Sequence, residues 1–95
     1  MAMQYDVKSA YTESDAAVVT YRTRLKGLYV VVGTAGTLPV TVYDNASAGS
    51  GTALFKLGTT AAGAHTVVIP GDGILAVNGL YVDTGSADSV TVIYG

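Results

Sequence analysis

The amino-acid sequence predicts an all-β domain, either a single antiparallel β-sandwich or a jelly-roll-like small barrel of about seven to nine short strands. Valine, threonine and tyrosine, which favour half-buried strands, are abundant. Apolar and polar residues alternate in repeated short runs, and no segment keeps helical spacing for more than about two turns. Segments rich in glycine, asparagine and aspartate separate the runs. We expect one domain over residues 1–95, since neither a linker nor an internal repeat is visible.

Each run of alternating residues predicts one strand, and the runs follow one another at the spacing of a sandwich. The predicted strands are residues 3–8, 19–26, 40–44, 53–57, 65–69, 80–83 and 89–94. The turn-forming segments between them are residues 33–39, 44–51, 58–64, 70–73 and 84–89. The last run has no polar tail, so we expect it to pair inside a sheet, beside the run around Tyr5.

The composition argues against several classes of function. Only 13% of the residues are charged and the net charge is −2, so the basic field that nucleic-acid binding requires is missing. The longest apolar run, residues 28–32, is far shorter than the roughly 20 residues of a membrane-spanning helix. We therefore expect neither nucleic acid nor a membrane as partner. A small chain that is 49% hydrophobic has more apolar surface than its core uses, and this predicts a subunit interface.

The residues that could hold a metal ion or a cofactor are scarce. The chain has no cysteine, which excludes disulfides and thiolate metal sites. The glycines of segments 33–36 and 49–51 do not precede a predicted helix, so they form no phosphate cradle. We expect no cofactor and no metal ion. The first residues lack the basic and apolar regions of a secretory signal, which predicts assembly in a cytoplasm.

A catalytic site is not expected. His65, the only histidine, opens a predicted strand beside a loop, where an exposed or capping imidazole is the simpler interpretation. The seven carboxylates form no recognisable pair motif, and Asp72 in "PGDG" is most simply a turn residue. The sequence therefore predicts that the protein is not an enzyme.

Tyrosine is the strongest binding signal among the side chains. Tyr43 and Tyr81 alternate with valines, so they are predicted on the outer faces of their strands. Tyrosine is enriched at interfaces because it combines a large area with a polar tip. The alternative is that most of the seven tyrosines are core residues, since Trp is absent and Phe55 is the only phenylalanine. We take Tyr43 and Tyr81 as candidate interface residues and leave both interpretations open.

The stretch "TYRTRLKG" places Arg22, Arg24 and Lys26, three of the five basic residues, at every second position of a predicted strand. One interpretation is a solvated face that guards an edge strand against aggregation. The other is a contact strip for an acidic partner, because arginine suits bidentate recognition of carboxylates. Beyond Gly27 the same parity carries Leu28, Val30 and Val32, so a bulge or bend is expected at Gly27.

A resemblance adds to this interpretation. The order of "QYDVKSAY", "YRTRLKG", "IPGDGILAVNGLYV" and a terminal "SVTVIYG" resembles small virion-associated proteins of tailed bacteriophages, notably phages of marine bacteria. The likeness covers both ends and most of the third quarter of the chain, and its motifs contain no catalytic signature. It implies a structural protein of the virion, most plausibly a decoration or cement protein on the outer capsid surface, assembled in the cytoplasm of the bacterial host.

The resemblance also implies partners. These are the major capsid protein and further copies of the chain, with a trimer favoured among homo-oligomers. Two alternatives stay open at this point. One is another virion component, namely a neck, tail or fibre-base protein. The other is a carbohydrate-binding module that uses exposed tyrosines as stacking platforms.

Overall fold

The computed structural model describes residues 8–36, 38–58 and 62–95, which form nine β-strands and no helix. The strands are β1 (Lys8–Thr12), β2 (Ala16–Val19), β3 (Thr23–Val32), β4 (Val40–Tyr43), β5 (Ala53–Leu57), β6 (Gly63–Val68), β7 (Ile74–Ala76), β8 (Leu80–Asp83) and β9 (Ser89–Tyr94). All paired strands run antiparallel. The prediction of an all-β, antiparallel fold is therefore confirmed.

The strands form two sheets in a sandwich-like arrangement. Sheet A has the order β1-β9-β3-β6. The short strand β7 pairs with the first residues of β3, on the same side of β3 as β6. Sheet B has the order β2-β8-β4-β5. Consecutive strands often belong to different sheets, so most contacts join residues that are distant along the chain.

The core lies between the sheets and is built mainly from valine and leucine. Its buried members come from both sheets and follow the period-two pattern of each strand. They are Val19, Leu25, Leu28, Val30, Val32, Val40, Val42, Ala76, Leu80, Val82, Ala87, Val90 and Val92. Branched side chains fill such a pleated interior well, because they pack against their cross-strand neighbours.

The last predicted strand pairs inside a sheet, as expected. Strand β9 lies between β1 and β3, so both of its edges are hydrogen-bonded. Its partner on one side is the segment Lys8–Thr12, whereas the predicted run around Tyr5 lies outside the described residues. The predicted strand 19–26 is wrong in extent: β2 ends at Val19 in sheet B, and β3 begins at Thr23 in sheet A. Residues 20–22 carry the chain from one sheet to the other.

The expected irregularity at Gly27 is present as a β-bulge. In the pairing of β3 with β9, Leu25 lies opposite Tyr94 and Gly27 lies opposite Ile93, so the register shifts between them. The additional residue reverses the alternation of β3, and both Leu25 and Leu28 therefore point into the core. Arg24, Lys26, Val30 and Val32 are all at even positions, so strict alternation would put them on one face. The bulge instead places the two basic residues on the outer face of sheet A and the two valines on the core face.

Candidate interaction surfaces

Four of the five basic residues lie at one end of the sandwich. Arg22 is exposed in the segment between β2 and β3, whereas Arg24 and Lys26 are half-buried on β3. Lys8 reaches the same end because it pairs with Tyr94, which in turn pairs with Leu25. The Lys8 ammonium lies 6.0 Å from the centre of the Tyr21 ring. We call Lys8, Arg22, Arg24 and Lys26 the basic end.

The bulge keeps Arg24 and Lys26 on the outer side of sheet A. Arg24 pairs with Leu75 of β7 on one side, and its backbone exchanges two hydrogen bonds of 3.2 and 3.1 Å with Gly95 on the other. Neither these two side chains nor Arg22 forms an ion pair with a residue that the structure describes. The backbone of Arg24 is thus held on both sides, and the charges of the row have no carboxylate partner among the described residues.

Four carboxylates lie at the opposite end, where β1 and β8 end and β2 and β9 begin. Asp15 accepts hydrogen bonds of 2.9 Å from the backbone N–H and the hydroxyl of Thr84. Asp88 accepts one of 3.0 Å from the N–H of Gly33. The other two members of this acidic end are Glu13 and Asp83. Asp15 and Asp88 therefore hold loops between strands. Four of the six described carboxylates lie at this end, whereas Asp44 and Asp72 lie nearer the basic end.

Between these ends, the outer side of sheet A carries no charged side chain among the described residues. The register and the alternation of the four strands assign eleven residues to this surface. They are Ser9, Tyr11, Gly27, Tyr29, Val31, Ala64, Thr66, Val68, Ser89, Thr91 and Ile93. We call this set the uncharged face. Val68, at its margin, is 80% exposed.

Two tyrosines belong to the central row of the uncharged face, Tyr29 on the inner strand β3 and Tyr11 on the edge strand β1. Thr66, Tyr29, Thr91 and Tyr11 lie opposite one another in a row across the four strands. Tyr11 is 61% exposed and Tyr29 is 45% exposed. The Tyr11 hydroxyl donates a hydrogen bond of 2.8 Å to Glu13, and this bond to a carboxylate raises the pKa of Tyr11.

Tyr43 and Tyr81, the two tyrosines selected from the sequence, are neighbours on the outer side of sheet B. They lie directly opposite each other on β4 and β8 and are half-buried. The loop between β4 and β5 covers them: a Cβ atom at Gly49 would lie 3.1 Å from the Tyr81 ring and 3.8 Å from the Tyr43 ring. The structure thus separates these tyrosines from the basic row, which belongs to the other sheet.

Asn45 determines how that loop folds. Its side-chain oxygen accepts hydrogen bonds from the N–H groups of Ser47 and Ala48, at 2.8 and 2.9 Å, and its amide donates to the carbonyl of Ser50 at 3.2 Å. Such side-chain turns are the reason that asparagine is frequent in tight loops. The segment that the sequence shows as a low-complexity loop therefore has a defined shape over the two rings.

The carboxylate of Asp44 likewise fixes a loop by accepting backbone hydrogen bonds, in this case from the turn between β7 and β8. It accepts hydrogen bonds from the N–H groups of Val77 and Asn78, at 3.2 and 2.8 Å. This links the end of β4 to the turn that precedes β8. The acidic residue at the start of "DNASAGSG" is thus a structural residue that ties two loops together.

The exposed tyrosines that were not selected from the sequence are Tyr11, Tyr21 and Tyr29, of which Tyr21 lies in the segment that crosses between the sheets. Tyr29 lies within the apolar run of residues 28–32, so its alternation with Leu28 and Val30 was hidden by the apolar residues on both sides. Counting the alternation of β3 from Gly27, after the bulge, would have placed Tyr29 on the outer side of the sheet. Tyr11 lies on β1, a strand whose described bounds were not predicted.

The residues considered for catalysis are distributed over the fold. His65 is half-buried on the core-facing side of β6, where it pairs with Val30. Asp72 is exposed in the turn between β6 and β7. Within residues 8–36, 38–58 and 62–95, no three histidine or acidic side chains come close enough to hold a metal ion.

Comparisons of the chain with models of protein families, with curated proteins and with solved structures found no match. In the described part of the chain, no helix is long and apolar enough to span a membrane.

Proposed function

We propose that the protein is a non-enzymatic structural component of a bacteriophage virion, a decoration or cement protein that binds the major capsid protein on the outer shell. The observation that carries the proposal is the basic end. Arg22, Arg24 and Lys26 lie together with no ion pair to a described residue, on a chain of net charge −2. A cluster of unpaired cations on an otherwise acidic protein suits adhesion to an acidic surface, and arginine recognises carboxylates in a bidentate manner.

The mechanism in this proposal is adhesion. A subunit that binds only the assembled shell stabilises it by mass action, since disassembly must also release the bound copies. Because contacts between exposed charges are weak one at a time, many copies acting at once are needed for a measurable effect. The resemblance to virion-associated phage proteins points to the same role.

We also infer that the sandwich is a jelly roll. The pairing supports this assignment: β1 pairs with β9, β2 with β8, β3 with β6 and β4 with β5, while β7 is a short additional partner of β3. Such nested pairs arise when a long antiparallel ribbon is rolled into two sheets. Jelly rolls occur in viral capsid and lectin domains, and as fold-level analogy this agrees with the proposed role without assigning it.

The experiment adds purified protein to capsids assembled without it and measures bound protein and the temperature at which the capsids disrupt. We expect saturable binding, a higher disruption temperature and weaker binding as salt rises. Arg22→Glu should reduce binding, whereas Lys56→Glu, the same charge reversal on β5 of sheet B, should not. Capsids that disrupt at the same temperature with and without the protein would contradict cementing. Hundreds of copies per particle would favour the shell, and six to a dozen a neck, tail or fibre-base position.

The exposed tyrosines of the uncharged face favour a second candidate, a carbohydrate-binding module. Tyr11 and Tyr29 are separated by β9, which places them about 10 Å apart on the sheet surface. Sugar rings stack on exposed aromatic side chains, so two such rings could hold neighbouring residues of a glycan. A glycan array would detect this, and binding that Tyr29→Ala abolishes would favour the module over the capsid role.

A further inference from the structure

We propose that the uncharged face is the contact surface for a second copy of this chain, in a two-fold pair whose strands run in roughly opposite directions. The proposal goes beyond the function proposed above, because it concerns the association of the chain with itself and needs no capsid. The surface consists of the eleven residues defined above, between Arg24 and Lys26 at one end and Glu13 and Asp88 at the other.

The chemistry of the uncharged face restricts what can cover it. It offers hydroxyl groups and apolar atoms over four strands but no charge, so a partner that placed a charged side chain here would bury it without a counter-ion. Tyr11, Tyr29 and Val68 are exposed at 61%, 45% and 80%. The uncharged face of a second copy of this chain meets both conditions, because it brings apolar atoms and hydroxyl groups but no charged side chain.

The charges at the two ends select the partner and its direction. Arg24 and Lys26 lie outward at the basic end, and Glu13 lies on the same side of sheet A at the acidic end, as its bond from Tyr11 shows. When two copies meet face to face with their strands opposed, the basic end of each faces the acidic end of the other. Strands in the same direction would place like charges together, which is unfavourable. The charges that lie outward on sheet A therefore favour opposed strands over strands in the same direction.

The position of the tyrosines fits a symmetric contact. In a two-fold interface each residue of one copy has an equivalent contact in the other, so the central row is used twice. Tyr29 lies on an inner strand near the middle of the surface, where contact residues contribute most to binding, and Tyr11 lies in the same row on the edge strand β1. A face that meets only itself forms pairs and cannot close a three-fold ring, so the pair differs from the trimer that the resemblance implies.

The size of the surface determines how strong the pair can be. Four strands about 4.8 Å apart and about six residues along each strand cover roughly 400 Å² per copy. Stable dimers usually bury about 800 Å² per partner, so we expect a weak pair with a dissociation constant in the micromolar range or above. A monomer–dimer equilibrium should then be visible when the protein is concentrated.

The test is sedimentation equilibrium of the purified protein at low salt, from micromolar to millimolar concentrations. We expect the average mass to rise with concentration from that of one chain toward that of two. Opposed strands place Arg24 of β3 against the other end of β3 in the second copy, where Asp88 accepts a hydrogen bond from the N–H of Gly33. Arg24→Glu should therefore weaken association by about tenfold at low salt, because it sets a carboxylate against that acidic end. The loss should shrink as salt screens the repulsion.

Two controls keep the test interpretable. Lys56→Glu, on sheet B, should leave association unchanged, and Tyr29→Ser should weaken it while thermal unfolding stays close to that of the original protein. A mass that remains that of one chain at the highest concentration, a trimer, or a folded Arg24→Glu variant that associates as strongly as the original protein would each overturn the proposal. Because capsids are absent, failure here is distinct from failure to bind the shell.

Discussion

The two sheets present outer surfaces of opposite character, although the alternation in their strands is alike. On sheet A, Tyr11 and Tyr29 lie open on a surface without charge. On sheet B, Tyr43 and Tyr81 lie under a loop of their own chain. The difference arises outside the strands: Asn45 shapes a loop over sheet B, whereas no described segment lies over the tyrosines of sheet A. An outward tyrosine is thus exposed to solvent only where the chain does not cover it.

The largest effect that we expect from this comparison is on stability. Tyr81→Ala removes a ring that packs beneath the loop of sheet B, and it should lower the free energy of unfolding by about 2 kcal/mol. Tyr29→Ala removes a ring from the open face of sheet A, and it should cost less than about 1 kcal/mol. Urea unfolding of the two variants, at concentrations too low for self-association, measures both values. Equal losses would mean that the two outer faces are covered alike.

A second prediction concerns the bulge that keeps Tyr29 outside and Leu28 inside. A Cβ atom at Gly27 would lie 2.8 Å from the carbonyl oxygen of Val67, which is backbone and cannot move alone. Gly27→Ala should therefore destabilise the protein by about 1–2 kcal/mol, in the lower part of the range for overpacking. The matched control is Gly58→Ala, since a Cβ atom there meets nothing within 4 Å. Chemical denaturation of both variants tests this, and a neutral Gly27→Ala would show that β3 and β6 can separate at this point.

The smallest expected effect is a loss of stability at alkaline pH. It arises from Tyr94, a tyrosine whose hydroxyl is partly removed from water by its surroundings. Burial, and then a hydrogen bond with Tyr21, raise the pKa of Tyr94 above its ordinary value of 10.0. The folded chain therefore holds this proton to a higher pH than the unfolded chain, and the free energy of unfolding falls as the pH rises above about 10. Tyr94→Phe should make that fall shallower in urea titrations at a series of pH values. An unchanged slope would exclude the Tyr94 hydroxyl as its source.

Much of the secondary structure could be predicted because alternation and turn chemistry are local. Strands β4, β5, β8 and β9 agree with predicted runs to within one residue. Strand β2 was missed because its sequence, "AAVV", has no alternation of apolar and polar residues, and β7 because its three residues are too few to show a period. The predicted strand 19–26 failed for a different reason: the side chains of residues 20–22 continue the alternation, but the chain there crosses between sheets.

The candidate surfaces were predictable only in part. The basic row and the outward direction of Tyr43 and Tyr81 follow from spacing, which any reader of the sequence can count. The exposure of those tyrosines does not follow, because it depends on a loop that folds back from the end of β4. Tyr29 was hidden within an apolar run, and its direction depends on the register between β3 and β9.

The sequence by itself determined the all-β class, the low charge, the loops and the row of three basic residues, since each is a property of neighbouring residues. Tertiary structure alone decided that four of the basic residues and four of the carboxylates lie at opposite ends, and that an uncharged face of sheet A lies between them. The physical reason is that strands distant in sequence pair side by side, and a single bulge at Gly27 changes which side of β3 faces water.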